Sequence, residues 1–395
     1  MPLVSDLISF DSISIDARIT KTFSYAVNAV QEGAAASLTS IGRKISDYSG
    51  TSEKHSIKRI DRLIGYEKLA CVRNAFYRQF CCYFGQQKNP LLLVDWAHID
   101  NNNWCLLRAS VAFDGRAFTL YEQIYPERRM NSHGCHIAFL NKLKSCLPKE
   151  CTPVICTDAG FKVPWFKEVE KLGWYWVGRI RGTVKCSIDK GDNWVTPNAL
   201  YQRATTAKLE SLPDMLISKE KRHPGRAVLF RGKQTTSKKK KKAKRPNCRT
   251  YQRHVKAHKD PWFLVSNLPE ESFKDSNMVH FYKRRMTIEE SFRDSKNEYY
   301  GLGLRRCKSR TVRRLQVILL ILLVTQWELY IIGKAAENKG LHRYYQANTD
   351  TSRRVLSYCY LARRIMVSKA FDFTLEELRA ALWELIALTG WEEGS

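Results

Sequence analysis

A phenol, two cations and a carboxylate stand at offsets of 0, 3, 7 and 14 within FYKRRMTIEESFRDSK (281–296), as Tyr282, Arg285, Glu289 and Lys296. At about 100° per residue, a helix would carry all four within an arc of roughly 60°. Phe281, Ile288 and Phe292 cluster in a neighbouring arc, so one edge packs while the adjoining edge presents an ordered polar row. Taken alone, the row reads most simply as a surface helix with an Arg285–Glu289 pair at i,i+4.

Two distant acids change that reading. Asp95 interrupts the apolar run LLLVDWAH (91–98), and Asp158 closes the apolar part of TPVICTDAGF (152–161). A carboxylate in such a strand is costly to bury unless it is paired or binds a metal. If both strands lie side by side with the 276–296 helix packed over them, three carboxylates converge, and their repulsion raises their pKa values. An oxygen-seeking cation, Mg²⁺ or Mn²⁺, relieves it. Two such ions can activate a nucleophile and stabilise the leaving oxygen of an in-line phosphoryl displacement. Tyr282, Arg285 and Lys296 would then contact phosphates beside the reacting one.

These groups must be positioned by an α/β arrangement of elements. LLLVDWAH has the pattern of a central strand buried on both faces. WCLLRASVAF (104–113), the turn pair Asp114-Gly115 and RAFTLYEQIY (116–125) predict a β-hairpin. A helix over 133–146, a strand at 152–161, a short helix FKEVEKLG (166–173) and a strand WYWVGRI (174–180) follow. Between 181 and 260 the pattern dissolves into short β-like runs, TVKCSI and RAVLF, and a basic run SKKKKKAKR (237–245). PWFLVSN (261–267) is again strand-like, and Ser276 to Lys296 reads as one helix.

Five segments result: a helical region 1–85, expected to bind a polyanion, a first core part 86–180, a β-rich insertion with a basic loop 181–260, a second core part 261–335 carrying the helix with the polar row, and a helical region 336–395. In the first, HSIKRIDRLIGYEKL (55–69) sets Ile57, Ile60, Leu63 and Ile64 at helical spacing. Lys58, Arg59 and Arg62 project from its other side, either toward a phosphate backbone or as a solvated face. In the last, TLEELRAALWELIAL (374–388) opens with a capping box of Thr374 and Glu377.

The whole-chain charge agrees with a phosphate substrate. Lys and Arg total 66 against 39 Asp and Glu, a formal charge of +27. So large an excess is self-repelling unless a polyanion neutralises it, and nucleic acid is the commonest one. The 12 cysteines are scattered without a CxxC pair, which fits free thiols in a reducing compartment. HGCH at His133–His136 lacks a second cluster at zinc-finger spacing, so no ligand set is expected there. VILLILLV (317–324) is too short a run for a bilayer and predicts a buried core helix between Leu315 and Ile332, hence a soluble, cytoplasmic protein without membrane contact.

VDWAHID, TDAGFKVPWF and FYKRRMTIEESFRDSK closely resemble the three catalytic blocks of the bacterial DDE transposases of insertion-sequence family four. The signature Tyr-x2-Arg-x3-Glu-x6-Lys of that family is complete here, and the likeness runs from about residue 50 to 365. The resemblance implies a ribonuclease-H-like core, a mixed sheet flanked by helices, with a β-rich subdomain inserted before the catalytic helix. It assigns Asp95, Asp158 and Glu289 to a metal-binding triad for two Mg²⁺ (or Mn²⁺) ions. It assigns Tyr282, Arg285 and Lys296 to contacts with the DNA end. Trp262 matches a tryptophan that stacks in the space left by a flipped base, the alternative being a plain core aromatic. The implied partners are the terminal inverted repeats of an insertion sequence, target DNA and a second copy of the chain in the synaptic complex, with nucleoid association in a bacterial host. The implied chemistry is nicking, hairpin formation and joining of 3′-OH ends to target DNA. A nuclease of the same fold and a DNA-binding protein without catalysis are the competing readings. The Lys238–Lys242 run has no counterpart in the family pattern and is read as a nonspecific DNA-binding loop.

Overall fold

The computed structural model describes residues 15–85, 87–99, 103–232, 260–347, 349–350 and 352–391. The Lys238–Lys242 run lies outside them. The chain divides into two compact units, one of Met1–Cys151 with Met286–Ser395 and one of Thr152–Arg285.

The first unit opens with α1 (Ala17–Gln31), α2 (Leu38–Ser49), α3 (Glu53–Gly65), α4 (Glu67–Cys71) and α5 (Arg73–Cys82). Asp16, Ser37 and Ser52 cap the first three, each side chain accepting a backbone N–H of the first turn. The helix expected over 55–69 is two helices, because Tyr66 turns extended and its N–H bonds back to Leu63. Gly42 is where α2 and α3 touch: a Cβ there would lie 2.7 Å from Ile57 Cα. Strands β1 (Leu91–Ile99), β2 (Trp104–Phe113) and β3 (Arg116–Pro126) follow in the antiparallel order β3-β2-β1. The hairpin turns at Asp114-Gly115 as expected, with Gly115 at φ 72°. Helix α6 (His133–Cys146) completes this stretch over the predicted range.

The second unit contains β4 (Val154–Thr157), α7 (Val163–Lys171) and β5 (Tyr175–Arg179), with β4 and β5 parallel. Then come β6 (Cys186–Ser187), the single turn α8 (Pro197–Leu200), β7 (Leu209–Ile217), β8 (His223–Phe230), β9 (Trp262–Ser266) and α9 (Asp275–Arg284). Their order is β4-β5-β9-β8-β7-β6, and β9 pairs antiparallel with both β5 and β8. Strand β7 has no counterpart among the expected elements. Its sequence LESLPDMLI carries Pro213 where the register with β8 slips between Leu212 and Met215, so its alternation is broken.

The first unit resumes with α10 (Met286–Lys296), α11 (Val312–Asn338), the single turn α12 (His342–Tyr345), α13 (Tyr358–Ser368) and α14 (Leu375–Ala387). Helix α14 has the expected capping box, Thr374 and Glu377 bonding reciprocally. Helix α11 is 27 residues long, well beyond the expected Leu315–Ile332. By length and composition it could cross a membrane, but 94% of its apolar stretch is buried inside the fold. It packs against α1, α3, α13, α14 and β3. Trp327 sits at its centre, 4.2 Å from Phe118 and 4.4 Å from Phe80 between ring centroids. A helix apolar all round is a core helix, as expected from its sequence.

Candidate active site

The helix expected over 276–296 is interrupted. Helix α9 ends at Arg284, α10 begins at Met286, and the Arg285 N–H bonds Tyr282 O three residues back at 3.2 Å. Phe281 and Ile288 are fully buried and Phe292 nearly so, so the apolar edge packs as expected. The polar row is divided: Tyr282 lies on α9, Arg285 at the junction, and Glu289 and Lys296 on α10. Asp95, Glu289 and Lys296 belong to the first unit; Asp158, Trp262, Tyr282 and Arg285 belong to the second.

In the first unit, Leu91–Val94 of β1 are fully buried, and the strand becomes half-buried at Asp95 and Trp96. Asp95 Oδ1 accepts the Trp96 N–H at 2.8 Å, which orients the carboxylate from its own backbone. Across the ladder Asp95 faces Arg108 of β2. Arg108 is buried, ion-paired to the equally buried Glu122 of β3 at 2.7 Å, and its guanidinium lies 4.6 Å over the Phe292 ring. Helix α10 packs against β1, β2 and β3. Its inner face is anchored by Ser291, whose Oγ accepts the Ala117 N–H at 2.9 Å and donates to Ala117 O at 3.0 Å. Asp294 adds a 2.6 Å bond from Arg116. Glu289 stands on the opposite, exposed side. Two of the three acids are therefore carried by elements packed directly on each other. Lys296 is half-buried, its Nζ 6.0 Å from the Phe292 ring centre.

In the second unit, Asp158 follows the last residue of β4. Its Oδ1 accepts the Gly160 N–H at 2.8 Å, and a Cβ on Gly160 would stand only 2.9 Å from that oxygen. Burial pushes the neighbouring Cys156 thiol up to about 12, with Arg285 opposing and Asp158 adding to the shift, so both charges lie within electrostatic range of it. Trp262 packs edge-on against Tyr282, ring centroids 4.9 Å apart. The Arg285 guanidinium lies 5.6 Å over the Tyr282 ring. Burial raises the Tyr282 phenol above its usual range, opposed by Arg285 and then by Arg179, which also hydrogen-bonds it. Tyr282 is 5% and Arg285 8% exposed, so neither presents a solvated face; Trp262 is half-buried.

The residues expected from α3 are at the surface: Lys58 and Arg62 are exposed and Arg59 half-buried. Arg59 and Arg62 join Arg18 and Lys21 around a hollow of about 490 Å³. The anchors Arg108, Glu122, Arg116, Ser291 and Asp294, with Arg179, went unread in the sequence. Only Ser291 and Asp294 had a signal, lying in the catalytic stretch on the far face from Glu289.

The sequence model of the transposase DDE domain family matches residues 87–326, more than half of the chain and the whole span from β1 to the middle of α11. The chain belongs to the DDE transposase family. It is thus a metal-dependent, DNA-cleaving enzyme of the transposition class, and the family implies a ribonuclease-H-like fold. A search of curated proteins found no match. Among the described residues of this transposase, no group of three or more His, Cys, Asp or Glu side chains could by itself hold a metal ion. The predicted donors are split two and one between the units. Their chemistry, carboxylate oxygens, suits Mg²⁺ or Mn²⁺ rather than a metal that prefers thiolate or imidazole.

Proposed function

We propose that this transposase is a cut-and-paste enzyme of insertion-sequence family four. It binds the terminal inverted repeats of its element and bridges two ends as a homodimer. Within that family KRIDRL, LRASVA, EKLGWYW, YGLGLR and QANT look similar to stretches of the transposase of insertion sequence ten. The observation that carries the reading is the complete Tyr282-Arg285-Glu289-Lys296 row with Trp262 against Tyr282 at 4.9 Å. A nuclease that only cuts has no use for that row.

Asp95, Asp158 and Glu289 would hold two divalent cations. Bound there, the ions supply an activated water or hydroxyl and neutralise charge on the reacting phosphate. Lys296 holds a phosphate beside the cut. Arg285 and Arg179 fix the Tyr282 ring, and Tyr282 in turn braces Trp262, which fills the gap left when a base leaves the stack. Water hydrolyses one strand and frees a 3′-OH; that hydroxyl attacks the opposite strand, forming a hairpin and releasing the flanking DNA. A second water opens the hairpin, and the restored 3′-OH attacks a target phosphodiester and displaces its 3′-oxygen. Each step is phosphoryl transfer, so one triad serves all of them. The β-rich strands between 181 and 260 are read as the inserted subdomain, the N-terminal helices as a DNA-binding region, and the bacterial cytoplasm and nucleoid as the site of action.

Glu289→Gln tests the assignment. Binding to DNA carrying the element's terminus is retained, while Mg²⁺-dependent nicking on a denaturing gel drops by at least about a hundredfold, the loss of several kcal/mol of charge stabilisation. Cleavage at the wild-type rate would overturn the triad. Strand transfer of pre-cut ends separates a transposase from a plain nuclease.

A further inference from the structure

Three residues beyond Lys296, a short turn displays two aromatic rings to solvent. Tyr299 is 84% exposed and Tyr300 60%, the former the most exposed large apolar side chain among the described residues. The turn is held at both ends. Asn297 Oδ1 accepts the N–H of Tyr299 at 2.8 Å and of Tyr300 at 2.9 Å, Leu302 N–H bonds Asp294 O at 2.8 Å, and Gly303 N–H bonds Asn297 O at 2.8 Å. Arg363 donates to Gly301 O from α13. Tyr300 is braced by the edge of Tyr360 at 5.3 Å, and Tyr299 is the more exposed of the two rings.

Beside the turn lies a cleft of about 960 Å³ lined by Arg305, Arg306, Lys308, Arg310 and Arg314, against one acid, Glu298, among its described lining residues. Arg306 bonds Glu298 at 2.7 Å, and its charge is held up first by that bond and also by the nearby Tyr299 phenol. A solvent-facing aromatic on a hydrogen-bonded turn next to a cationic cleft has the chemistry of a single-strand platform: the ring stacks on any base, and the cations follow the phosphates. Because the turn is already ordered, little freedom is lost when a base settles on it.

We propose that Tyr299 is a base-stacking residue whose ring takes an unpaired DNA base while the cations of the adjoining cleft hold the phosphates of that strand. The inference rests on the transposase reading and deepens it, since a hairpin intermediate requires unstacked bases beside the cut.

The test uses the full chain in EDTA, with fluorescence anisotropy on a labelled oligothymidine and on an abasic oligomer of the same length. Tyr299→Ala weakens oligothymidine binding roughly tenfold, the loss of about one base–aromatic stack, and leaves the abasic oligomer unaffected. Tyr299→Trp keeps wild-type affinity. Arg305→Ala with Lys308→Ala weakens both oligomers alike and lowers the salt dependence. Equal binding of both oligomers by Tyr299→Ala and wild type overturns the proposal, and so does an equal loss on both. No divalent cation is present, so a failure here leaves Glu289-dependent nicking intact, while intact nicking by Glu289→Gln would leave a positive stacking result standing.

Discussion

Glu289 owes its position to residues on the far side of its own helix. Ser291 exchanges two hydrogen bonds with the Ala117 backbone, Asp294 takes Arg116, and Arg108 lies over Phe292 with its charge answered by Glu122. Removing one partner of a buried pair leaves an uncompensated charge, which costs more than the pair itself contributes. Glu122→Ala is therefore expected to lower stability by about 3–5 kcal/mol in urea denaturation, and Glu122→Gln by clearly less. Equal stability of Glu122→Ala and wild type would mean that water reaches Arg108. None of these anchors follows from spacing along the chain. Arg108 and Glu122 are opposite each other only because β2 and β3 pair in one register, and register is a long-range choice.

Helix α11 carries the clearest element-scale consequence. Glu328 lies fully buried at its middle, accepts a hydrogen bond from Gln31 of α1, and has an Oε1 without a partner among the described residues. Burial pushes its carboxyl up to about 8, with the Gln31 bond opposing. An acid that holds its proton more tightly folded than unfolded gives stability that is complete below its ordinary value near 4.5. That stability is then lost as pH rises toward the folded value of about 8. The melting temperature is expected to fall between those limits in wild type and to fall less in Glu328→Gln, since the ionised form is penalised by on the order of a few kcal/mol. Identical pH profiles would show that another group carries the dependence. Element types were largely legible at this scale: the Asp114-Gly115 hairpin, the α14 capping box, the apolar strand interrupted by Asp95 and the apolar strand before Asp158 were all read from local pattern. Boundaries were less so. The break at Arg285 and the split at Tyr66 depend on backbone bonds that side-chain periodicity does not report, and Pro213 hid β7 by disturbing its alternation.

For the molecule as a whole, the net charge of +27 predicts a strongly salt-dependent grip on DNA. Arg59→Ala with Arg62→Ala, at the hollow shared with Arg18 and Lys21, is expected to weaken duplex binding uniformly across sequences. It is also expected to reduce the slope of log affinity against log salt by about one for each phosphate no longer neutralised, read by filter binding over a salt series. Deleting Lys238–Lys242 flattens the slope further if that run lies on phosphates. An unchanged slope in both variants would move the binding surface elsewhere. By itself the sequence determined the chemistry on offer: three acids, a cationic row, an excess of positive charge and an alternation of strand and helix. These follow from residue type and local spacing, which short-range physics reads. Only the tertiary structure decided which strand faces which, that α10 is bolted to β3 so that Glu289 points outward, and that Tyr282 packs against Trp262 with Arg285 buried over the Tyr282 ring instead of standing in solvent. Those outcomes depend on burial and on pairing between residues far apart in the chain, and no local pattern encodes them.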